Sequence, residues 1–267
     1  MWETKATKSL GVVSEPPDWL FLLRSPRPGT VSNRTADIHP LIHKLYYRLC
    51  QQYHRNPDAE IHLIGFSRGA FAVRCLVCLI ERIGLLRVKN DYLTKKYEGL
   101  YRLWAFQEDS ELNAWAKKDR KNHAVHPVQI ASCGVWDTVS AITMSPTLSF
   151  VHDQVPEHLD FAFQALALHE SRSFYNPILW KHIPGNKTCI RQCWFAGDHS
   201  DIGGSWPDCG LANLTLVWML AQYVRHFTGM PINREDLYTR LCPPGAGSPY
   251  LSHTLSQGMC SKGAWAR

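Results

Sequence analysis

Between Ala36 and Tyr53 the apolar residues Ile38, Leu41, Ile42, Leu45, Tyr46 and Leu49 recur every three or four positions, and Asn56-Pro57-Asp58 ends the run. That spacing places them on one stripe and predicts an amphipathic helix. The pattern changes at Ile61-His62-Leu63-Ile64, a short run that reads as a buried strand, and changes again after Gly69. From there Ala70, Phe71, Val73, Leu76, Val77, Leu79, Ile80 and Ile83 cover most of a helical surface up to Gly84. A largely buried helix closed by a glycine is the expectation.

Residues 91–120 mix aromatics with charge in the manner of two exposed helices. Val128 to Trp136 predicts a second buried strand ending at Asp137-Thr138, and the run from Leu159 to Leu168 reads as a helix. Cys189 to Phe195 predicts a third strand, which ends at Gly197-Asp198-His199, and Leu211 to Phe227 a helix apolar on most faces. Strands alternating with helices call for an α/β layered fold with a predominantly parallel sheet. Residues 1–36 are rich in Pro, Ser and Arg, with one apolar patch, Trp19 to Leu23, at strand length. The expected organisation is a poorly patterned N-terminal segment over 1–36 and a single domain over 37–267.

Composition narrows the classes. The chain has 267 residues, 45% hydrophobic and 19% charged, enough to bury a sizeable core. The net charge of +6 is spread along the chain with no long basic run. That argues against nucleic acid as a partner and is compatible with anionic substrates or transient contact with a membrane surface. No apolar run approaches a membrane span, and no signal-peptide core follows the N-terminal lysines, so a cytoplasmic protein is expected. Nine cysteines, an odd number in a chain too large to need staples, fit reduced thiols there. The three Asn-x-Thr matches, at Asn33, Asn186 and Asn213, then carry no meaning. Nothing in the sequence marks an oligomeric state.

The candidate chemistry sits at the predicted strand ends. Gly65-Phe66-Ser67-Arg68-Gly69 lies between strand and buried helix, where a G-x-S-x-G turn holds a serine nucleophile on a strained bend. Composition alone produces this pentapeptide in roughly one chain in ten, so its placement matters more than its occurrence. Asp137 follows 70 residues later and His199 a further 62, each at its own strand end. Serine, acid, histidine is the chain order of an α/β-hydrolase triad. A serine hydroxyl needs a histidine to take its proton, and the histidine needs a carboxylate to fix its tautomer. Gly65 and Gly69 allow strand and helix to approach closely, and the Arg68 amide, at the start of the helix, is placed to donate to an oxyanion.

Other residues admit blander readings. Cys75 and Cys78 form a C-x-x-C but fall inside the buried helix, as structural thiols do, and Cys189 and Cys193 read the same way. No histidine or cysteine grouping has metal-site spacing, so no metal and no cofactor is expected. Asp198 and Asp201 compete with Asp137 for the histidine, but sequence neighbours usually point elsewhere. Asp201 is expected to cap or brace the turn at Gly203-Gly204. Arg68 could meet an anionic head group or, more commonly, an acidic neighbour. Trp104, Phe106, Trp115 and Trp136 could line an acyl pocket, or belong to the core as such aromatics more often do.

Four blocks, Gly65 to Phe71, Gly134 to Val139, Leu166-Ala167-Leu168-His169-Glu170-Ser171-Arg172-Ser173-Phe174, and Trp194 to Gly204, together resemble the catalytic domain shared with type VI secretion phospholipase effectors. The resemblance covers roughly residues 38 to 225. It implies an α/β-hydrolase-like fold, a mostly parallel sheet flanked by helices, and a serine esterase or lipase cleaving lipid or phospholipid esters through Ser67, His199 and Asp137. Members of that family begin with a strand ending in Asp-Gly-Thr, whose loop completes the oxyanion hole. The nearest match here, Arg24 to Thr30, has Pro in place of the Asp, so the family's N-terminal strand is not recognisable. The alternative expectation is therefore a catalytically inactive α/β-hydrolase-like protein with a binding role.

Overall fold

The computed structural model describes residues 9–10, 38–57, 59–87, 91–121, 125–139, 146–152, 155–172, 175–206, 208–228, 230 and 232–241. The apolar patch at Trp19 and the segment Arg24 to Thr30 lie outside them.

The amphipathic stripe of the first helix forms α1 (His39–Arg55), with Ile42, Leu45, Tyr46 and Cys50 buried. It leads into β2 (Glu60–Phe66) and, after the single residue Ser67, into α2 (Arg68–Ile83). Gly84 ends α2 at a φ of 68°, a backbone angle that costs glycine little. Strand β5 (Ile130–Trp136) pairs in parallel with β2, and β7 (Cys189–Phe195) lies at one edge of the sheet. At the other edge, the two-residue β1 (Ser9–Leu10) pairs in parallel with β2, so the unpatterned N-terminal segment contributes a strand. Helix α6 (Gly210–His226) follows the short α5 (His199–Gly203), and α7 (Arg234–Leu241) comes last. A small antiparallel pair, β3 (Leu85–Leu86) with β4 (Val125–His126), lies outside the main sheet.

Leu159 to Ala167 is not a helix but β6, between β5 and β7. Its residues Leu159, Ala162, Phe163, Leu166 and Ala167 fall at helical spacing. In a strand covered on both faces, however, most positions on both faces are apolar and the period of two vanishes. Phe163 packs with Met219 and Tyr223 of α6 on one face of the sheet, while Ala162 joins the cluster formed with α1 and α2 on the other. The five-stranded sheet, ordered β1-β2-β5-β6-β7, is thus parallel throughout and layered between helices.

Helices α3 (Asp91–Ala105) and α4 (Asp109–Lys121) are less exposed than their charge implies. Tyr97, Leu100, Tyr101, Trp104 and Leu112 are buried, and the Tyr97 ring stacks on Tyr46 of α1 at 4.3 Å. Burying each such side chain contributes roughly 1.5–3 kcal/mol. Arg74, in α2, is also buried, and its guanidinium donates to the carbonyls of His152 (2.8 Å) and Ile178 (2.7 Å) while lying over the Trp180 ring. It thereby ties the 3₁₀ turn Pro146–His152 and the segment at 178–180 to the helix behind Ser67.

Under α6, His62 Nδ1 lies 2.8 Å from Ser132 Oγ, which donates to the Tyr223 hydroxyl at 3.1 Å. Burial lowers the His62 pKa, outweighing Glu60, whose carboxylate stands 3.6 Å from Nε2. The folded value lies below the unfolded one of about 6.5, so the unfolded chain binds more protons as pH falls, and stability is lost below about pH 6.5. The urea midpoint is expected to drop between about pH 7.5 and about pH 5.5, with a shallower drop in His62→Gln. Equal slopes in the two proteins would exclude His62 as the group responsible.

Candidate active site

In a parallel sheet the loops beyond the carboxyl ends of the strands converge. Strand β2 delivers Ser67, β5 delivers Asp137, and the loop after β7 delivers His199 as the first residue of α5. His199 Nε2 lies 2.7 Å from Ser67 Oγ, and His199 Nδ1 lies 2.7 Å from Asp137 Oδ2. All three are buried, at 7%, 6% and 0% exposure for Ser67, His199 and Asp137. The structure therefore brings together the three side chains singled out in the sequence.

Local backbone explains the placement. Ser67 continues the β2–β5 ladder through its amide, which donates to the Trp136 carbonyl at 3.0 Å, and then turns at φ 58°, ψ −124° into α2. That region is unfavourable for a residue with a Cβ, so the turn holds strain of roughly 1–3 kcal/mol. Arg68, the first residue of α2, has no intrahelical acceptor for its amide. A Cβ on Gly65 would stand 2.6 Å from the Gly69 carbonyl oxygen and 2.8 Å from the Ala70 Cα. Both are main-chain atoms that cannot step aside. Gly65→Ala is expected to lower stability by about 1–3 kcal/mol, measured as a fall in the urea midpoint; a variant as stable as the parent would show that β2 and α2 separate freely.

Asp137 also has a positive φ, 43°, and both its oxygens are engaged: Oδ1 accepts from the Ala167 amide at 2.9 Å and Oδ2 faces His199. Neither neighbouring acid replaces it. Asp198 caps α5, accepting from the amides of Ser200 (2.8 Å) and Asp201 (3.0 Å), and Asp201 Oδ2 accepts in return from the Asp198 amide at 2.9 Å. Asp201 thus braces the start of the helix rather than the Gly203-Gly204 turn, because the reciprocal capping box satisfies three otherwise orphaned amides.

The cysteines of α2 keep their structural reading, and the aromatic candidates divide. Cys75 and Cys78 are buried inside α2, where loss of solvent raises both thiol pKa values. Among the described residues no cluster of three metal-binding side chains occurs, and no helix is long and apolar enough to cross a membrane. Trp104 belongs to the core, Phe106 is exposed at the end of α3, and Trp136 donates from its indole to Thr215 of α6 at 3.1 Å. His62 and Ser132 repeat a serine–histidine pairing, but Ser132 is fully buried beneath α6, so no substrate carbonyl can reach it.

The sequence patterns missed the ring contacts of His199. Its imidazole packs against Phe66, at 4.7 Å, and Tyr175, at 5.1 Å. A Cβ on Gly203 would overlap the Phe66 ring, so that glycine lets the ring reach the histidine. Only the recurrence of the Leu166–Phe174 block hinted at a role for the neighbouring loop.

Comparison with known proteins places the chain in a family. Over 133 residues, 48% of this chain, the sequence is 57% identical to the uncharacterized protein YEL023C of Saccharomyces cerevisiae. That match spans 20% of the yeast protein's length. Residues 32–222 match the family model described as the catalytic domain of the T6SS phospholipase effector Tle1-like proteins. By that match, which takes in strands β2 to β7, the chain belongs to the Tle1-like phospholipase effector catalytic-domain family.

Proposed function

We propose that the protein is a serine hydrolase that cleaves carboxylic esters of lipids or phospholipids through an acyl-enzyme. Family membership points to lipase-type hydrolysis. The observation that carries the serine mechanism is the continuous line from Ser67 Oγ through the His199 ring to Asp137, with 2.7 Å at each step. Ser67 on its positive-φ bend is the nucleophile elbow. Its oxygen attacks the ester carbonyl carbon as His199 Nε2 takes the hydroxyl proton, and Asp137 stabilises the resulting imidazolium. The C–O bond to the leaving alcohol then breaks, and His199 returns the proton to that oxygen. Water, deprotonated by the same nitrogen, attacks the Ser67 ester and releases the acid. The free Arg68 amide at the start of α2 donates to the carbonyl oxygen as it becomes an oxyanion. The substrate, and brief contact with the membrane surface that presents it, belong to the same proposal.

A fluorophosphonate probe tests this reading, because it phosphonylates only an activated serine. Stoichiometric labelling located at Ser67 by peptide mass spectrometry, together with fatty-acid release from phosphatidylcholine vesicles, is expected. A folded protein that neither labels nor releases acid would be a non-catalytic relative.

A further inference from the structure

The loop after β6 contains Leu168-His169-Glu170-Ser171-Arg172, a block that the triad does not use, yet its polar groups converge on His199. Pairing beyond the strand ends holds it there: the Leu168 amide donates to the Phe195 carbonyl at 2.9 Å and the His169 amide to Gly197 at 3.0 Å. His169 Nδ1 accepts from the Gly197 amide in return. The chain that carries His199 is thus zipped to the loop that carries Glu170.

Glu170 and Arg172 then form a fork. Arg172 Nε donates to Oε1 at 2.9 Å, Nη2 to Oε2 at 2.7 Å, and the Arg172 amide to Oε1 at 2.7 Å. The backbone amide of His199 adds a minor stabilising influence on the Glu170 carboxylate beside the three bonds from Arg172. That amide is the one start-of-helix donor of α5 outside the Asp198–Asp201 capping box, which takes the amides of Asp198, Ser200 and Asp201. The far side of the fork is aromatic: the Arg172 guanidinium lies 3.9 Å above the centre of the Tyr175 ring, and that ring meets the His199 imidazole edge to face. From Glu170 through Arg172 and Tyr175 the contacts lead to the His199 side chain.

The exposure pattern argues against an incidental surface pair. The Glu170 side chain is only 2% exposed while that of Arg172 is 50% exposed. An exposed ion pair contributes little, and burying one carboxylate costs desolvation that a mere loop tether would not require. The hydrogen bonds from Arg172, reinforced by the His199 amide, hold the Glu170 carboxyl down at about 2, so it stays charged wherever the protein is folded. Arginine supplies what lysine cannot, two parallel donors and a flat face for the tyrosine.

We propose that Glu170, Arg172 and Tyr175 are positioning residues that fix the ring of His199, aligning Nε2 on Ser67. The idea rests on the serine-hydrolase reading for its catalytic meaning, though not for its geometry. Phe66 also packs against the ring, at 4.7 Å, so losing Tyr175 or its support removes one of two ring contacts.

The test compares Arg172→Lys, Glu170→Gln, Tyr175→Leu and Tyr175→Phe with the wild type. Fluorophosphonate labelling and p-nitrophenyl ester kinetics report alignment, and the NMR signal of the His199 Nδ1 proton, shielded from exchange by Asp137, reports the ring itself. Arg172→Lys and Tyr175→Leu are expected to lower kcat and the labelling rate by on the order of 10- to 100-fold, with KM little changed and the Nδ1 signal broadened. Tyr175→Phe, which keeps the ring, recovers most of what Tyr175→Leu loses; a purely structural tether would move thermal stability without this pattern. Wild-type rates and an intact signal in folded Arg172→Lys and Tyr175→Leu would overturn the proposal while leaving the hydrolase reading standing. A wild type that does not label, yet shows an Nδ1 signal lost in those variants, would overturn the hydrolase reading and keep the positioning role. Should Glu170→Gln fail to fold, the two tyrosine variants decide the matter, since they leave the buried carboxylate in place.

Discussion

Ser67→Ala is expected to abolish ester turnover, by a factor on the order of 10⁶ in kcat, in a protein that remains folded. Alanine lacks the oxygen that attacks the carbonyl in the proposed mechanism, and no other hydroxyl stands within reach of His199 Nε2 among the described residues. The fold tolerates the change because the turn's strain belongs to the backbone: alanine at φ 58° is as strained as serine, so the penalty is present in both proteins. The lost Ser67–His199 hydrogen bond costs about 1 kcal/mol. Turnover of p-nitrophenyl butyrate and the thermal midpoint, measured on the same preparations, check both halves. A folded variant within tenfold of the wild-type rate would place the chemistry elsewhere.

Asp137→Asn is expected to lower kcat by about 10⁴, again with little loss of structure. The carboxylate is fully buried and each oxygen accepts one hydrogen bond, from the Ala167 amide and from His199 Nδ1. An asparagine that keeps its oxygen on Ala167 must turn its NH₂ toward Nδ1. That nitrogen then has to accept, which moves the imidazole proton to Nε2, where it can no longer take one from Ser67. The flipped amide restores the acceptor at His199 but sets NH₂ against the Ala167 N–H, two donors facing each other in a buried place. Either rotamer is costly, the first to rate and the second to stability. If Asp198 or Asp201 were the orienting acid, Asp137→Asn would keep near-wild-type kcat.

The strand-turn-helix unit around Ser67 was legible because β2 and α2 carry different apolar periods on either side of two glycines. β5 was legible as an apolar run ending in polar residues, and β7 as a short strand-length stretch ending at Gly197-Asp198. β6 was not, because a strand covered on both faces has no alternation to read, and Leu159, Ala162, Phe163, Leu166 and Ala167 mimic a helix. α3 and α4 looked exposed because tyrosines and charges interleave there, and only the stacking of Tyr97 on Tyr46 shows which side faces inward. The three site residues could be listed from the sequence since each follows a strand of a parallel sheet. The companions of His199 could not. Glu170, Arg172 and Tyr175 lie in a loop without periodicity, and their meaning comes from contacts with residues far along the chain.

The hydrogen bond from Ser67 to His199 spans 132 residues of sequence, and all its supporting strands are parallel, so each must be joined by a crossover before it can pair. Such long-range closures come late in folding, since loop entropy is lost before the contact repays it. A nascent chain that has passed Ser67 but not yet emerged as far as β7 holds the bent serine with no base beside it. Reactivity toward a serine probe therefore reports the last strand's arrival, and during refolding it would return with the slowest phase rather than with collapse or helix formation.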